Sequence, residues 1–559
     1  MPSLRLRGVA VVVLLIAASG CKKEGATGDS MALPAELAPH PAQGDPARLA
    51  VPPLFANIPA DTPYLLAGMA SFPPELLARI QRGLAPVVAP LVQQWQSLAG
   101  QNKVLAAIVA ELDGKCNQAG LESLGFSSEP RFAIYGLGLQ PVVARLAVKD
   151  HAVVQATIER IAAKAGAMLP AMATRDGRSY WKVDIAAGSI VIALADNQLI
   201  TAVGTAPEVE AKLGLILGSD KPAQSMADGR LVKELMARHG LGGQMIGFAD
   251  TRTIAGKALE AAGAAPSAAC TAELDRLSAK VPRVVFGYGE LSASRASGAL
   301  VVELAPDVVT DLKALRVELP GLAATLSGQP IMTMGVGIDL ARGQQVGVAV
   351  AEHLKQLGTA CANGPLADAA DQASRALSRP LPEPAGRISG GVVAIKDIKF
   401  ATGAQQAIPE SVEAVMMIAS PDARALFKKA VELAAEIGTL GIVADGALHD
   451  LTIPLPVPFP IAAGVGDKAI VVTAGTQQKP LAVQLLAARG GSKAPLFAMT
   501  YDFSKVVDLE LHTLGPALAA GNPAMPAVLR SMGQLLGRVS GTFDVTDHGV
   551  AVWSTVEIK

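Results

Sequence analysis

Residues 150–166, DHAVVQATIERIAAKAG, lie without gaps over residues 422–438, DARALFKKAVELAAEIG, and this superposition decides how the rest of the chain is read. In the first segment Val154, Ile158, Ile161 and Ala165 recur at spacings of 4, 3 and 4. Leu426, Ala430, Leu433 and Ile437 hold the matching places in the second. Both segments therefore predict an amphipathic helix with one buried stripe. Asp150 opens the first and Ser420 with Pro421 the second; Gly166 and Gly438 close them.

Working outward, Asp176-Gly177 and Asp445-Gly446 each supply a turn before a strand, over 179–185 and 448–453. A second match follows, DNQLITAVGT at 196–205 over DKAIVVTAGT at 467–476: a tight turn, then an apolar strand ending in Gly-Thr. Each copy continues with a helix, a strand ending in Asp (245–250 and 497–502) and another helix, and the first copy carries an extra helical insertion over 218–240. The expected fold is α+β: two related repeats of antiparallel sheet with helices on one face, A over about 141–262 and B over about 412–522.

Around the repeats, the N-terminal block predicts a strand over 63–69, helices near 74–83, 87–98 and 104–112, and a strand over 132–137. The centre predicts a hairpin (284–291 with 298–304), a strand over 331–340 and helices to 377, before a linker marked by Pro380, Pro382 and Pro384. A hairpin over 539–545 and 549–558 turns at Asp547-His548. Expected domains are 55–265, 266–385 and 386–559, since about 500 residues exceed one hydrophobic core.

Half the residues are apolar and 17% are charged, which excludes disorder as the general state. Only 4% are aromatic, so the cores should be built from small and medium side chains. A net charge of −1 with scattered Lys and Arg argues against nucleic acid as a partner. After the N-terminus no uncharged apolar run reaches the roughly 18 residues a spanning helix requires.

The first twenty residues place Arg5 and Arg7 before an apolar run from Val9 to Ala18 and the small residues Ser19 and Gly20, the layout of a secretory signal peptide. Ala18-Ser19-Gly20-Cys21 resembles the bacterial lipobox, although that pattern prefers Leu where Ala18 stands. The resemblance implies lipidation of Cys21 and a membrane as partner. Lys22, where an Asp would retain a lipoprotein in the inner membrane, points to the outer membrane, facing the periplasm. Residues 21–54, rich in Pro, Gly, Ala and Asp to about residue 50, read as a tether with a reach on the order of 30 Å. Together with Pro59-Ala60-Asp61-Thr62-Pro63-Tyr64, the pattern resembles that of uncharacterised large proteobacterial lipoproteins, which implies a location and no activity.

In an oxidising compartment Cys116, Cys270 and Cys361 allow one disulfide and one thiol. Cys270 with Cys361 is the favoured pair, and closing a loop of about 90 residues removes roughly 4 to 5 kcal/mol of denatured-state entropy in the chain model. The cysteines are too far apart in sequence for a zinc motif, and the seven histidines lack ligand spacing, so no metal or other cofactor is expected.

Asp250 and Asp502, at equivalent strand ends, suit helix capping better than paired acid chemistry. His449-Asp450 is similar to the metal-binding pair of phosphohydrolases but begins a strand, which suits a surface pair. Gly287-Tyr288-Gly289 and Gly335-Val336-Gly337 lack the third glycine of a dinucleotide fingerprint and read as strand glycines. Tyr180-Trp181 and Trp95 suit core anchors better than a ligand groove. No catalytic residue is assigned. The reading that follows is a non-enzymatic envelope protein that binds or scaffolds, with a carrier of lipid or another apolar ligand second and an enzyme with a non-local site third.

Overall fold

The computed structural model describes residues 51–83, 103–115, 117–127, 131–186, 188–261, 267–327, 330–400, 409–451, 457–488, 493–521 and 525–559. The expected signal peptide, Cys21, the tether to residue 50, the helix over 87–98 with Trp95, and Cys116 lie outside the described residues.

Among the described residues nineteen strands join in one sheet. The first ten are β1 Tyr64–Gly68, β2 Phe132–Gly136, β3 Val142–Ala147, β4 Ala173–Arg175, β5 Arg178–Ile185, β6 Gly188–Ala195, β7 Gln198–Gly204, β8 Met245–Asp250, β9 Arg283–Ser292 and β10 Arg295–Glu303. The rest are β11 Met332–Gly337, β12 Gly390–Phe400, β13 Pro409–Ala419, β14 Leu448–Leu451, β15 Ile461–Val465, β16 Ala469–Ala474, β17 Phe497–Asp502, β18 Leu536–Val545 and β19 Gly549–Ile558. Every pairing is antiparallel, in the order β4-β5-β6-β7-β3-β2-β1-β8-β9-β10-β19-β18-β17-β11-β12-β13-β16-β15-β14. The chain is α+β.

The order has the same form on either side of the β10–β19 junction. From each edge inward comes a meander (β5-β6-β7; β14-β15-β16), then three strands in reverse chain order (β3-β2-β1; β13-β12-β11), then three in forward order (β8-β9-β10; β17-β18-β19). The expected turns fall inside this order. Asp176-Gly177 joins β4 to β5 with both φ positive, 52° and 77°, and Asp196-Asn197 joins β6 to β7 with φ of 52° and 55°. Such turns match the right-handed twist of the strands they connect.

One face of the sheet is packed. On it Leu65, Tyr135, Val143, Ile200, Ile246 and Val301 meet Val209, Leu213, Ile216, Leu235 and Met236 from three helices, Ala206–Ala211, Leu213–Leu217 and Leu231–His239. The Pro53–Asn57 turn adds Leu54 and Phe55 to the same core. On the other half Val392, Val415, Met417 and Val471 pack with Leu485 and Leu486 of the Lys479–Ala487 helix. The cores rest on aliphatic side chains, as the poverty in aromatics requires.

Helices also reach the opposite face, at its margins. The helix over 74–83 packs Leu76 and Ile80 with Tyr288, Ala296 and Val556, and Phe72 meets Tyr288 edge-on at 6.3 Å. At the other strand ends Val309, Leu312 and Val346, from the Pro306–Lys313 and Leu340–Ala360 helices, pack with Val545 and Val550. The expectation of helices on one face is thereby corrected: helices also border the second face, at both ends of its central strands.

The helix predicted over 150–166 runs His151–Lys164, with Asp150 accepting from the Ala152 and Val153 N–H groups and Gly166 at φ 64° behind it. It is tied to the Lys103–Leu112 helix by Glu111, which Lys164, Arg160 and Lys115 approach at 2.6, 2.9 and 3.2 Å. The helix predicted over 422–438 is interrupted: Ala423–Leu433 ends at Ala434 (φ −139°, ψ 90°) and a single turn, Ala435–Gly438, follows. Its cap is Asp422, which accepts from the Ala425 N–H, while Ser420 accepts from the Asp422 N–H. Cys270 and Cys361 are disulfide-linked, S–S 2.00 Å, across 91 residues of chain. The bond pins the start of the Ala268–Lys280 helix to the end of the Leu340–Ala360 helix.

Candidate functional site

Side chains alternate between the faces of a strand, so the face opposite the packed core can be read directly from the registers. One row of directly opposed residues crosses the central strands as Phe286, Leu300, Val552, Phe543, Phe497 and Val336. Two residues along each strand, a second row runs Tyr288, Gly298, Ser554, Gly541, Met499, Met334, Val393 and Met416. Leu300, Val552, Phe543, Val336 and Met416 are 44, 43, 39, 42 and 42% exposed, although they sit in mid-strand beside buried neighbours. Large apolar side chains this open at the centre of a sheet are not covered by the described residues, and a contiguous apolar patch of this kind marks an interaction surface.

The surface is a trough. Its long walls are the two helical margins described above, one at Val556 and Tyr288 and the other at Val550 and Val545. Its floor is lowest at the β10–β19 junction, where Gly298, Ser554 and Gly541 lie side by side on three neighbouring strands. A Cβ on Gly541 would find only ordinary contacts, Trp553 O at 3.4 Å and Met499 Cγ at 3.7 Å, so the strand does not require glycine there. Glycine leaves the floor open instead.

Of the residues singled out from sequence, those among the described residues have the following places. Asp250 accepts from the backbone N–H and the hydroxyl of Thr253, capping the Thr251–Ala261 helix. Asp502 accepts from the Ser504 hydroxyl and the Lys505 N–H; burial pushes its carboxyl up, but these bonds outweigh burial and leave it below the ordinary aspartate range. The two lie in β8 and β17, on opposite sides of the β10–β19 junction. His449 pairs with Asp445 at 3.0 Å and Asp450 with Lys479, both at the surface. Gly287 and Gly335 lie within β9 and β11, where a Cβ would come within 2.7 Å of Met245 O and 2.5 Å of Leu322 Cδ1. Tyr180 and Trp181 are buried on β5.

Two polar clusters have no counterpart in the sequence reading. Arg145 is 1% exposed and donates from Nε to the Tyr135 hydroxyl, from Nη1 to Gln198 Oε1 and from Nη2 to the Leu215 and Ile216 carbonyls at 3.2 and 2.8 Å. Glu303, also buried, meets His239 at 2.9 Å, Arg238 at 2.8 Å and Arg283 at 3.4 Å. Burial pushes the Glu303 carboxyl up, but the His239 and Arg238 contacts and the Arg283 charge outweigh it and hold the group at about 2. His548, edge-on to His239 at 5.8 Å, is held below the ordinary histidine range by burial and by the His239 and Arg238 charges. A lone Arg or Glu in an apolar stretch carries no spacing signal, and both clusters gather groups distant in sequence.

Among the described residues no group of three or more His, Cys, Asp or Glu side chains is placed to hold a metal, and no helix is long and apolar enough to cross a membrane. Fold and site define a class: an α+β protein on one continuous antiparallel sheet, packed on one face and bearing an apolar trough on the other. No family model, curated relative or solved structure matches the chain.

Proposed function

We propose that this chain is a membrane-anchored cell-envelope lipoprotein that acts by binding, with the trough as its working surface. The observation that carries the binding reading is the half-exposed apolar row at the centre of the sheet. A surface of that kind costs solubility and is retained where something covers it. The same observation favours a carrier of an apolar ligand over a scaffold, because no charged side chain lies along the two rows to fix the register of a polar partner. The anchor rests on Ala18-Ser19-Gly20-Cys21, with Lys22 favouring the outer membrane and the periplasmic side.

The two halves, β1 to β10 and β11 to β19, are best understood as copies of one α+β unit. Support comes from the shared pairing order and from the aligned segments at 150–166 and 422–438. The copies then extend beyond 141–262 and 412–522 to the whole sheet, and the trough crosses the junction between them.

The test of the anchor is Cys21→Ser. The parent chain should label with a palmitate analogue and sediment with membranes; the variant should do neither, and a variant still labelled and membrane-bound sinks the anchor. The test of binding is native mass spectrometry of the Cys21→Ser chain purified without detergent. A reproducible extra mass lost on denaturation is expected, and a bare polypeptide mass counts for a scaffold.

A further inference from the structure

From the make-up of its floor and walls we infer that the trough holds the acyl chains of a membrane phospholipid, laid across the strands over the β10–β19 junction. The inference deepens the binding reading and rests on it. The sixteen positions of the two rows, extended through Gly391 and Ile418, offer polar atoms only at Ser554 and the Tyr288 hydroxyl. The strands beneath have both backbone edges paired, so no ladder N–H or C=O is left for an added peptide strand. A protein partner would demand about one hydrogen bond per 100–200 Å². Hydrocarbon demands none.

Shape points the same way. A second copy laying its own sheet on this face would need the two to approach to about 10 Å over a flat contact. The helical margins at Val556 and Val550 rise at both strand ends and prevent that. A slender occupant running across the strands passes between these two margins. From Tyr288 to Met416 seven inter-strand steps give a floor of roughly 34 Å, against about 30 Å for the hydrocarbon of two opposed leaflets. The floor accommodates two acyl tails end to end. Met499, Met334 and Met416 line it beyond the glycine hollow, and unbranched thioether side chains adapt to tails of different length.

The experiment uses the full chain with Cys21→Ser, mixed with vesicles of phosphatidylethanolamine and phosphatidylglycerol that contain a trace of phosphatidylcholine bearing a diazirine in one acyl tail. Irradiation should place the label on peptides carrying Met334, Met499, Gly541 and Val552. Gly541→Leu, which fills the hollow, and Val552→Gln, at a site already open to water, should each lower labelling at least tenfold. Val483→Gln, an exposed apolar side chain on the Lys479–Ala487 helix, should leave it unchanged. Undiminished labelling in both trough variants, with folding verified by circular dichroism, overturns the inference. So does label confined to the helices outside the trough, or a dimer in lipid-free solution that Val552→Gln dissociates. Because the chain used is unanchored, failure here leaves the Cys21 test intact, and failure of that test leaves this one standing.

Discussion

Arg145 places a guanidinium in the packed core and satisfies it with a phenol, an amide and two helix-end carbonyls. The carbonyls belong to the last turn of the Leu213–Leu217 helix, where the backbone dipole favours a cation. Removing the side chain strands these acceptors away from water. Arg145→Met should therefore cost about 3–5 kcal/mol, read as a lower midpoint in urea unfolding. Lysine, with a single nitrogen, reaches fewer of the four acceptors and should recover only part of the loss. Capping acids were legible in the sequence because the partner lies two or three residues away, as for Asp150 and Asp250; at the second aligned helix the expected opening at Ser420 falls two residues early, and Asp422 is the cap. Arg145 was not legible, since its partners stand up to 71 residues distant.

The two aligned helices show where reading from periodicity stops. Val154 and Ala165 are buried as their spacing demands, but Leu433, the third member of the matching stripe, is 68% exposed beside the break at Ala434. The first helix rests against the Lys103–Leu112 helix, the second against a meander whose strands have four to six residues. At 1.5 Å per helical residue and about 3.3 Å per strand residue, that meander ends before an unbroken second helix would. Apolar spacing reports the helix face and carries no information on how far the opposing surface extends. The consequence is measurable by thermal or urea unfolding: Val154→Ala should cost about 2 kcal/mol, while Leu433→Gln should stay within about 0.5 kcal/mol of the parent. The trough was illegible for a related reason. Strands such as β10 and β19 carry apolar residues on both faces, Leu300 and Val302 against Ala299 and Val301, Val550 and Val552 against Ala551 and Trp553, which in sequence looks like burial on both sides. Only the three-dimensional order shows that the described helices leave the middle of one face uncovered.

At the scale of the whole molecule, one carboxylate guards the junction of the halves. Glu303 ends β10 opposite Gly549 of β19, and its contacts reach the Leu231–His239 helix and β9. Its acidity is held at about 2, so the stability it contributes is complete above the ordinary glutamate range near pH 4.5 and fades as pH falls toward 2. Arg238 is 40% exposed and the contribution is screened accordingly, to about 2 kcal/mol. Urea midpoints between pH 7 and 2.5 should drop less steeply in Glu303→Gln than in the parent, and parallel profiles would remove Glu303 from the account. The junction also sets an order of assembly. β10 pairs with β19 along nine registered positions, yet about 250 residues of chain separate them. A chain made amino end first completes β1 to β9 and then presents β10 as an unmatched strand edge until residues 549–558 arrive. That interval is when the polypeptide is most prone to wrong pairing, because a half-built sheet then offers nine unpaired positions to any passing strand.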